Sequence, residues 1–110
     1  MAYREKDLIK RALERLAPVL ARALGFKDAG QSDEALAELE RGAQVAFGLG
    51  LGPLGVLTPA SAAALLRDPA LVRAYAGLVR AEADVREAAG EAARAEALRA
   101  RAAALEKSEE

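Results

Sequence analysis

Large apolar residues recur every three or four positions at the beginning of the chain, and this spacing predicts an amphipathic helix from Asp7 to Gly25. Its predicted buried face carries Ile9, Leu13, Leu16, Leu20 and Leu24. Pro18 falls on the opposite side, where a bend that curves the helix around its neighbours costs least. Gly25 is predicted to end this helix, because glycine is the usual residue just beyond a helix C-terminus.

The same periodicity predicts a second helix, with Ser32 or Asp33 as its N-cap and Phe47 near its end. One face of this helix carries Leu36, Leu39, Ala43, Ala46 and Phe47. Four glycines and a proline follow between Gly48 and Gly55, and they disfavour helix through lost backbone entropy and a lost hydrogen-bond donor. We therefore predict a loop from Gly48 to Gly55, with unusually apolar side chains.

Two further helix starts are marked by a capping side chain directly before a proline, at Thr58-Pro59 and at Asp68-Pro69. They predict a short helix that ends near Arg67 and a long helix that ends near Ala89. The apolar residues along the long helix include Leu71, Tyr75, Leu78 and Val85. We predict that the long helix and the first helix contribute most of the core, and that Leu78 is deeply buried.

A last helix is predicted after Gly90, with a narrow apolar seam along it. The seam residues are Ala92, Ala95, Leu98, Ala102 and Leu105. Residues 106–110 are charged or polar and are predicted to fray.

Composition agrees with a helical chain, since alanine is abundant and the sequence has only two tyrosines, two phenylalanines and no tryptophan. Alanine favours helices, whereas strands draw on β-branched and aromatic residues. We predict an all-α fold of four or five antiparallel helices, in which residues 1–110 form a single domain.

The sequence contains neither cysteine nor histidine, which excludes thiol nucleophiles, imidazole bases and the usual zinc, haem and iron–sulfur ligands. Glu34 with Glu38 and Glu87 with Glu91 have the spacing of carboxylate metal ligands, but the histidines of such sites are missing. We interpret them as solvated helix surface and predict no catalytic, cofactor-binding or metal-binding residue. The formal net charge of −1 argues against nucleic-acid binding, and the charged amino terminus, which lacks a secretory signal, predicts a cytoplasmic protein.

The segment from Gly30 to Ala43 resembles the turn and second helix of a tetratricopeptide repeat. Gly30, Ala35 and Leu39 match the turn glycine, the small residue and the bulky residue of that motif, and Gly42 stands at its next small position. A fainter second copy places Gly90, Ala95 and Ala102 in the same roles, with Arg99 where the bulky residue belongs.

The order of helices along most of the chain is similar to a bacterial family of small repeat-like proteins of uncharacterised function. The resemblance implies a fold of helical hairpins and a scaffolding or binding role, without an activity. The carboxylate-binding clamp of some tetratricopeptide domains is not implied, because it uses paired asparagines and this sequence has none.

Residues 43–66 contain no charged side chain, a length that could span a membrane, and they include a Gly48-x-x-x-Gly52 spacing. Membrane insertion is disfavoured because Gly50, Pro53 and Pro59 would interrupt a helix at mid-depth and leave backbone groups unpaired. Two alternatives remain open, namely burial within one chain and burial between chains.

We predict that this segment forms a self-association surface, since loops normally run over the surface and soluble monomers rarely expose large apolar patches. The predicted interaction residues are Phe47, Leu49, Leu51, Leu54, Val56 and Leu57. The sequence thus favours a non-enzymatic interaction or scaffold protein that forms a homo-oligomer. The alternatives are a regulatory module that binds a peptide or apolar ligand in a helical groove, and membrane association through residues 43–66.

Overall fold

The computed structural model describes residues 2–108, with side chains described from residue 6 onwards. Within that part the chain is entirely helical and turn, with no strand, which confirms the all-α prediction. Its six helices are α1 (Ala2–Asp28), α2 (Ser32–Phe47), α3 (Leu51–Gly55), α4 (Pro59–Leu66), α5 (Pro69–Ala88) and α6 (Ala92–Lys107). The additional helix, α3, lies inside the predicted Gly48–Gly55 loop, where that prediction was wrong.

Helix α1 extends beyond both of its predicted ends. It begins at Ala2 and continues through Gly25 to Asp28, so Gly25 does not end it. The helix continues because Phe26 packs against the core, and the left-handed residue that follows α1 is Gly30, with φ of +76°. Pro18 lies inside α1 and is exposed, as predicted.

Both predicted cap-and-proline starts are confirmed. The Thr58 hydroxyl accepts a hydrogen bond from the Ser61 N–H at 3.1 Å, and the Asp68 carboxylate accepts one from the Ala70 N–H at 2.8 Å. The predicted cap of α2 was wrong, because Gln31 occupies that position without a side-chain hydrogen bond. Helix α6 continues to Lys107, so residues 106 and 107 do not fray, while 109 and 110 lie outside the described residues.

Helix α5 is the centre of the fold, since it packs against α1, α2, α4 and α6. It contributes to both buried clusters and carries seven buried residues, among them Leu78, which is fully buried as predicted. One cluster joins α1, α2 and α5 and contains Leu16, Ala23, Ala35, Leu39, Ala43, Leu78 and Val85. The other joins α3, α4, α5 and α6 and contains Leu54, Ala62, Leu66, Val72, Tyr75, Ala76, Val79, Ala102 and Leu105. From residue 6 onwards, α1 buries only Leu16, Val19 and Ala23, fewer than predicted, because one side of its apolar face is left uncovered.

The turns that follow α1 and α5 have the same geometry. Gly30 and Gly90, which lie 60 positions apart, have φ of +76° and +88°. In each turn the glycine N–H donates to the carbonyl three residues back at 3.0 Å, and the next residue donates to the carbonyl five residues back at 2.8 Å. Ala35 and Ala95, again 60 positions apart, are both fully buried. The α1–α2 pair and the α5–α6 pair therefore share the same turn geometry and the same buried alanine after the turn.

Ion pairs join the helices within each pair. Arg22 of α1 lies 2.5 Å from Glu38 of α2, and Arg80 of α5 lies 2.5 Å from Glu106 of α6. Burial, the largest single influence, raises the pKa of Glu38, but the hydrogen bonds and the positive charges of Arg41 and Arg22 together lower it by more, so this pKa lies below its ordinary value. The Arg80–Glu106 pair is exposed to solvent, which screens it, so this pair contributes little to stability.

Helices α1 and α2 approach closely at Gly42, which is buried. A Cβ atom at this position would lie 2.6 Å from the Cγ1 of Val19, inside the contact distance of two carbon atoms. Valine is stiff about χ1 and has no rotamer freedom to move aside within a helix. Glycine at this position therefore permits the close approach of the two helices. This packing advantage opposes the lower helix propensity of glycine.

We predict that Gly42→Ala destabilises the protein, although alanine is the better helix former by about 1 kcal/mol. Overpacking a core costs about 1–3 kcal/mol, which outweighs that gain. In a Val19→Ala background the same substitution should become stabilising, because the obstructing methyl groups are gone. Urea unfolding of the wild type, the two single variants and the double variant measures the free energy of unfolding in both backgrounds. A stabilising Gly42→Ala in the wild-type background would contradict the close contact between Gly42 and Val19.

Candidate binding groove

The amino-terminal end of α3 is held by a side chain of α2. The Glu40 carboxylate accepts hydrogen bonds from the Leu51 N–H at 2.5 Å and from the Gly52 N–H at 3.4 Å. The first N–H groups of a helix have no partner within the helix, and the helix dipole favours a negative charge beside them. Gly50 lies directly beneath this carboxylate, where a Cβ atom would overlap the carboxylate oxygens. Glu40 thus replaces the side-chain cap that Gly50 lacks.

The carboxyl-terminal end of α3 is held by a side chain of α6. The Arg101 guanidinium donates to the Leu54 carbonyl at 2.8 Å and to the Leu57 carbonyl at 2.7 Å. It also donates to the Tyr75 hydroxyl at 2.9 Å and lies 5.6 Å from the centroid of the Tyr75 ring. Hydrogen bonds from a charged donor are stronger than neutral ones, and the positive charge suits the end of a helix.

Between these two anchors, Leu54 is fully buried among residues of α4, α5 and α6. Phe47 meets Tyr75 edge to face, with ring centroids 6.1 Å apart. The five residues of α3 are therefore fixed at both ends and in the middle. These long-range contacts explain why a segment with so many glycines is helical where the sequence predicts a loop.

With α3 in place, a groove of about 470 Å³ forms on the surface bounded by α2, α3, α5 and α6. Its apolar lining residues are Leu36, Leu51, Val56, Val79 and Leu98, and its charged lining residues are Glu40, Glu82, Arg86, Arg94 and Arg101. Helix α5 runs along the groove between α2 and α6, since it packs against both. The groove thus combines apolar and charged side chains from four helices.

The charged groups of the groove are mostly engaged. Arg86 lies 3.5 Å from Glu82 and 3.2 Å from Glu91, although its buried Nε–H has no hydrogen-bond acceptor. Glu40 and Arg101 are bonded to the backbone of the α3 region. Arg94 is exposed and forms no ion pair with the part of the chain that the structure describes. This arrangement provides polar contacts at fixed positions, without a free carboxylate as general base.

The carboxylate pairs considered as metal ligands are placed on the surface. Glu38 binds Arg22 and Arg41, while Glu87 binds Arg99. Among residues 2–108 there is no group of three or more histidine, cysteine, aspartate or glutamate residues that could hold a metal ion.

The six predicted interaction residues have different environments. Leu54 is fully buried, and Phe47, Leu51 and Leu57 are half-buried against the core. Leu49 and Val56 are exposed to 38% and 85%. Of the six, Leu51 and Val56 line the groove.

Glu40 and Arg101 were not identified from the sequence. Each belongs to a charged stretch of helix that has the pattern of solvated surface. The one available signal is that Arg101 is adjacent to the predicted apolar seam residue Ala102. Its partners, the carbonyls of Leu54 and Leu57, lie more than forty positions away.

Comparison with protein-family models, with curated proteins and with solved structures finds no match to this chain. Residues 43–66 are divided among the end of α2, α3 and α4. None of the helices within residues 2–108 has the length and apolar character needed to cross a membrane.

We predict that Arg101→Met destabilises the protein by about 2–3 kcal/mol, because hydrogen bonds from a charged donor contribute about 1.5–3 kcal/mol. Amide hydrogen exchange of residues 51–57 should accelerate more than that of α5. Arg94→Met is the matched control, since Arg94 lies on the same helix without an ion pair. Equal effects of the two substitutions on residues 51–57 would contradict the role given to Arg101.

Proposed function

We propose that this protein is a non-enzymatic interaction module whose groove binds a short segment of a partner protein. The observation that carries the proposal is the groove itself, a concave surface of about 470 Å³ with apolar side chains from four helices. Ligand pockets are concave, mostly apolar and about 300–1,000 Å³ in volume. The engagement of Glu40 and Glu82 with other groups supports binding in preference to acid–base catalysis.

We further propose that the helices form two antiparallel, tetratricopeptide-like hairpins. Two ion pairs support the antiparallel arrangement of α5 and α6, because Arg80 of α5 lies beside Glu106 of α6, whereas Glu87, later on α5, lies beside Arg99, earlier on α6. The equivalent turns at Gly30 and Gly90 support a repeated unit.

The two turn glycines, Gly30 and Gly90, lie 60 positions apart, which exceeds the tetratricopeptide period of about 34 residues. The excess corresponds to the segment that contains α3 and α4, which lies between the two helix pairs in the sequence. In this proposal the inserted segment gives the module its specific surface, since Gly52, Gly55 and Val56 line the groove.

Self-association is the second proposed function. Val45, Leu49 and Val56 are exposed to 50%, 38% and 85%, and apolar side chains at such exposure favour contact with another surface. The formal net charge of −1 favours a protein over a nucleic acid as the partner, and a cytoplasmic location remains part of the proposal.

We predict that Gly55→Trp blocks the groove. Gly55 lines it, its Cβ position is in open space, and its φ is not positive, so a large side chain is tolerated there. Gly77→Trp is the matched control, because Gly77 also has open space at its Cβ position and does not line the groove. The probe is a phage-displayed library of random twelve-residue peptides, selected on the wild-type protein.

Selected peptides should bind the wild type and Gly77→Trp with similar Kd, and Gly55→Trp at least tenfold more weakly. Circular dichroism of each variant checks that the helices are intact. A selection that enriches no peptide, or peptides that bind all three proteins equally, would be evidence against the groove as a binding site.

A further inference from the structure

The positive side chains of the groove outnumber its negative ones. Its lining contains three arginines and two glutamates, and both glutamates are already engaged within the molecule. Glu82 lies 3.5 Å from Arg86, and the Glu40 carboxylate accepts hydrogen bonds from the first N–H groups of α3. The charges that a ligand meets without a counter-charge are therefore those of the other two arginines.

These two arginines, Arg94 and Arg101, have no carboxylate partner among the side chains of residues 6–108. Arg101 donates to two backbone carbonyls and to the Tyr75 hydroxyl, which are neutral groups, so its donors are satisfied while its charge is not neutralised. Arg94 is exposed and forms neither a hydrogen bond nor an ion pair within the same range. Arg94 thus keeps its donors for a ligand, and Arg101 adds positive potential beside it.

The positive charge and the apolar surface come from different sides of the groove. Arg94, Leu98 and Arg101 lie on one face of α6, because residues spaced by four and three positions are neighbours on a helix. At a rise of 1.5 Å per residue, the two arginines are about 10 Å apart along the helix axis. Leu36 of α2 and Leu51 of α3 provide apolar side chains from the other helices. A ligand in the groove therefore contacts leucines and a positively charged edge together.

We propose that the partner segment in the groove is acidic and apolar: an aspartate or glutamate of this segment binds the Arg94 guanidinium, and a large apolar side chain packs against Leu36, Leu51 and Leu98. The inference rests on the proposed function and adds the chemistry of the partner. A guanidinium binds a carboxylate through two parallel hydrogen bonds, which are stronger and more directional than neutral ones. Arg94 is then the residue that determines specificity.

The charges of the groove oppose segments of other chemistry. A basic segment would place like charges beside Arg94 and Arg101, which opposes binding, and would find both glutamates of the groove engaged. A wholly apolar segment would remove water from Arg94 without supplying a partner for its charge, which is costly. An acidic residue beside an apolar one satisfies both the guanidinium and the leucines.

The charge of Arg94 can be reversed without loss of the helix. Arg94 is exposed and is the third residue of α6, where a negative side chain is favourable because of the helix dipole. Arg94→Glu is therefore expected to fold, which circular dichroism verifies. Arg15→Glu is the matched control, because Arg15 is exposed, has no ion pair with the side chains of residues 6–108 and does not line the groove. Both substitutions change the net charge by the same amount.

The probes are the twelve-residue peptides that the random phage library yields on the wild-type protein and that Gly55→Trp binds weakly. We expect these peptides to share an aspartate or glutamate together with a large apolar residue. Arg94→Glu should raise their Kd at least tenfold, because it replaces an attractive charge with a repulsive one. Arg15→Glu should change the Kd less than twofold. Fluorescence anisotropy of labelled peptides measures each Kd.

A charge exchange tests whether Arg94 and the acidic residue of the peptide are in contact. A peptide in which lysine replaces the shared acidic residue should bind the wild type at least tenfold more weakly than the original peptide. The same lysine peptide should bind Arg94→Glu more tightly than it binds the wild type. Coupling between two changes of this kind indicates a direct interaction, since changes at distant sites are additive.

A library that yields no peptide would overturn both the proposed function and this inference. Peptides that Gly55→Trp excludes but that share no acidic residue, or that bind Arg94→Glu as tightly as the wild type, would overturn the inference and leave the groove as a binding site. Equal weakening by Arg94→Glu and Arg15→Glu would also overturn it, because net charge would then be the cause. A lysine peptide that does not prefer Arg94→Glu would overturn the direct contact. A wild-type dimer that Gly55→Trp dissociates in sedimentation velocity would place a second copy in the groove instead of an acidic partner.

Discussion

The hydrogen bonds of Arg101 are the interaction on which the rest of the surface depends. They satisfy the Leu57 carbonyl, add a second donor to the Leu54 carbonyl, which also accepts from the Leu57 N–H, and tie α6 to Tyr75 at the centre of the fold. Arg101 thus holds the backbone that carries Leu54 in the position from which this leucine enters the core. Burial of Leu54, the position of α3 and the shape of the groove are therefore physically coupled.

Glu40 completes this arrangement at the opposite end of α3. A five-residue helix with two glycines has too little intrinsic stability to form alone, because helix nucleation is costly and glycine adds backbone entropy to the unfolded state. A carboxylate at its first N–H groups and a guanidinium at its last carbonyls oppose that cost with charge-assisted hydrogen bonds. Glu40 and Arg101, which have the sequence pattern of solvated surface, thus anchor the two ends of α3, and α3 forms one wall of the groove.

Helix α5 reaches the surface on two sides. Val79 and Glu82 line the groove between α2 and α6, while Ala70 and Ala81 line depressions beside α1. Leu78 lies on α5 between these residues and is fully buried. A segment bound in the groove would therefore contact one side of α5, while the opposite side packs beside α1.

Local patterns in the sequence determined the all-α fold, the starts of α4 and α5 at Thr58 and Asp68, and the burial of Leu78, because caps and periodicity act over a few residues. Only the tertiary structure decided α3, the close contact of Gly42 with Val19, and the roles of Glu40 and Arg101. Those depend on residues far apart in sequence, whose approach no local pattern encodes. The predicted interaction set accordingly located part of the groove, through Leu51 and Val56, and missed the charged anchors that form it.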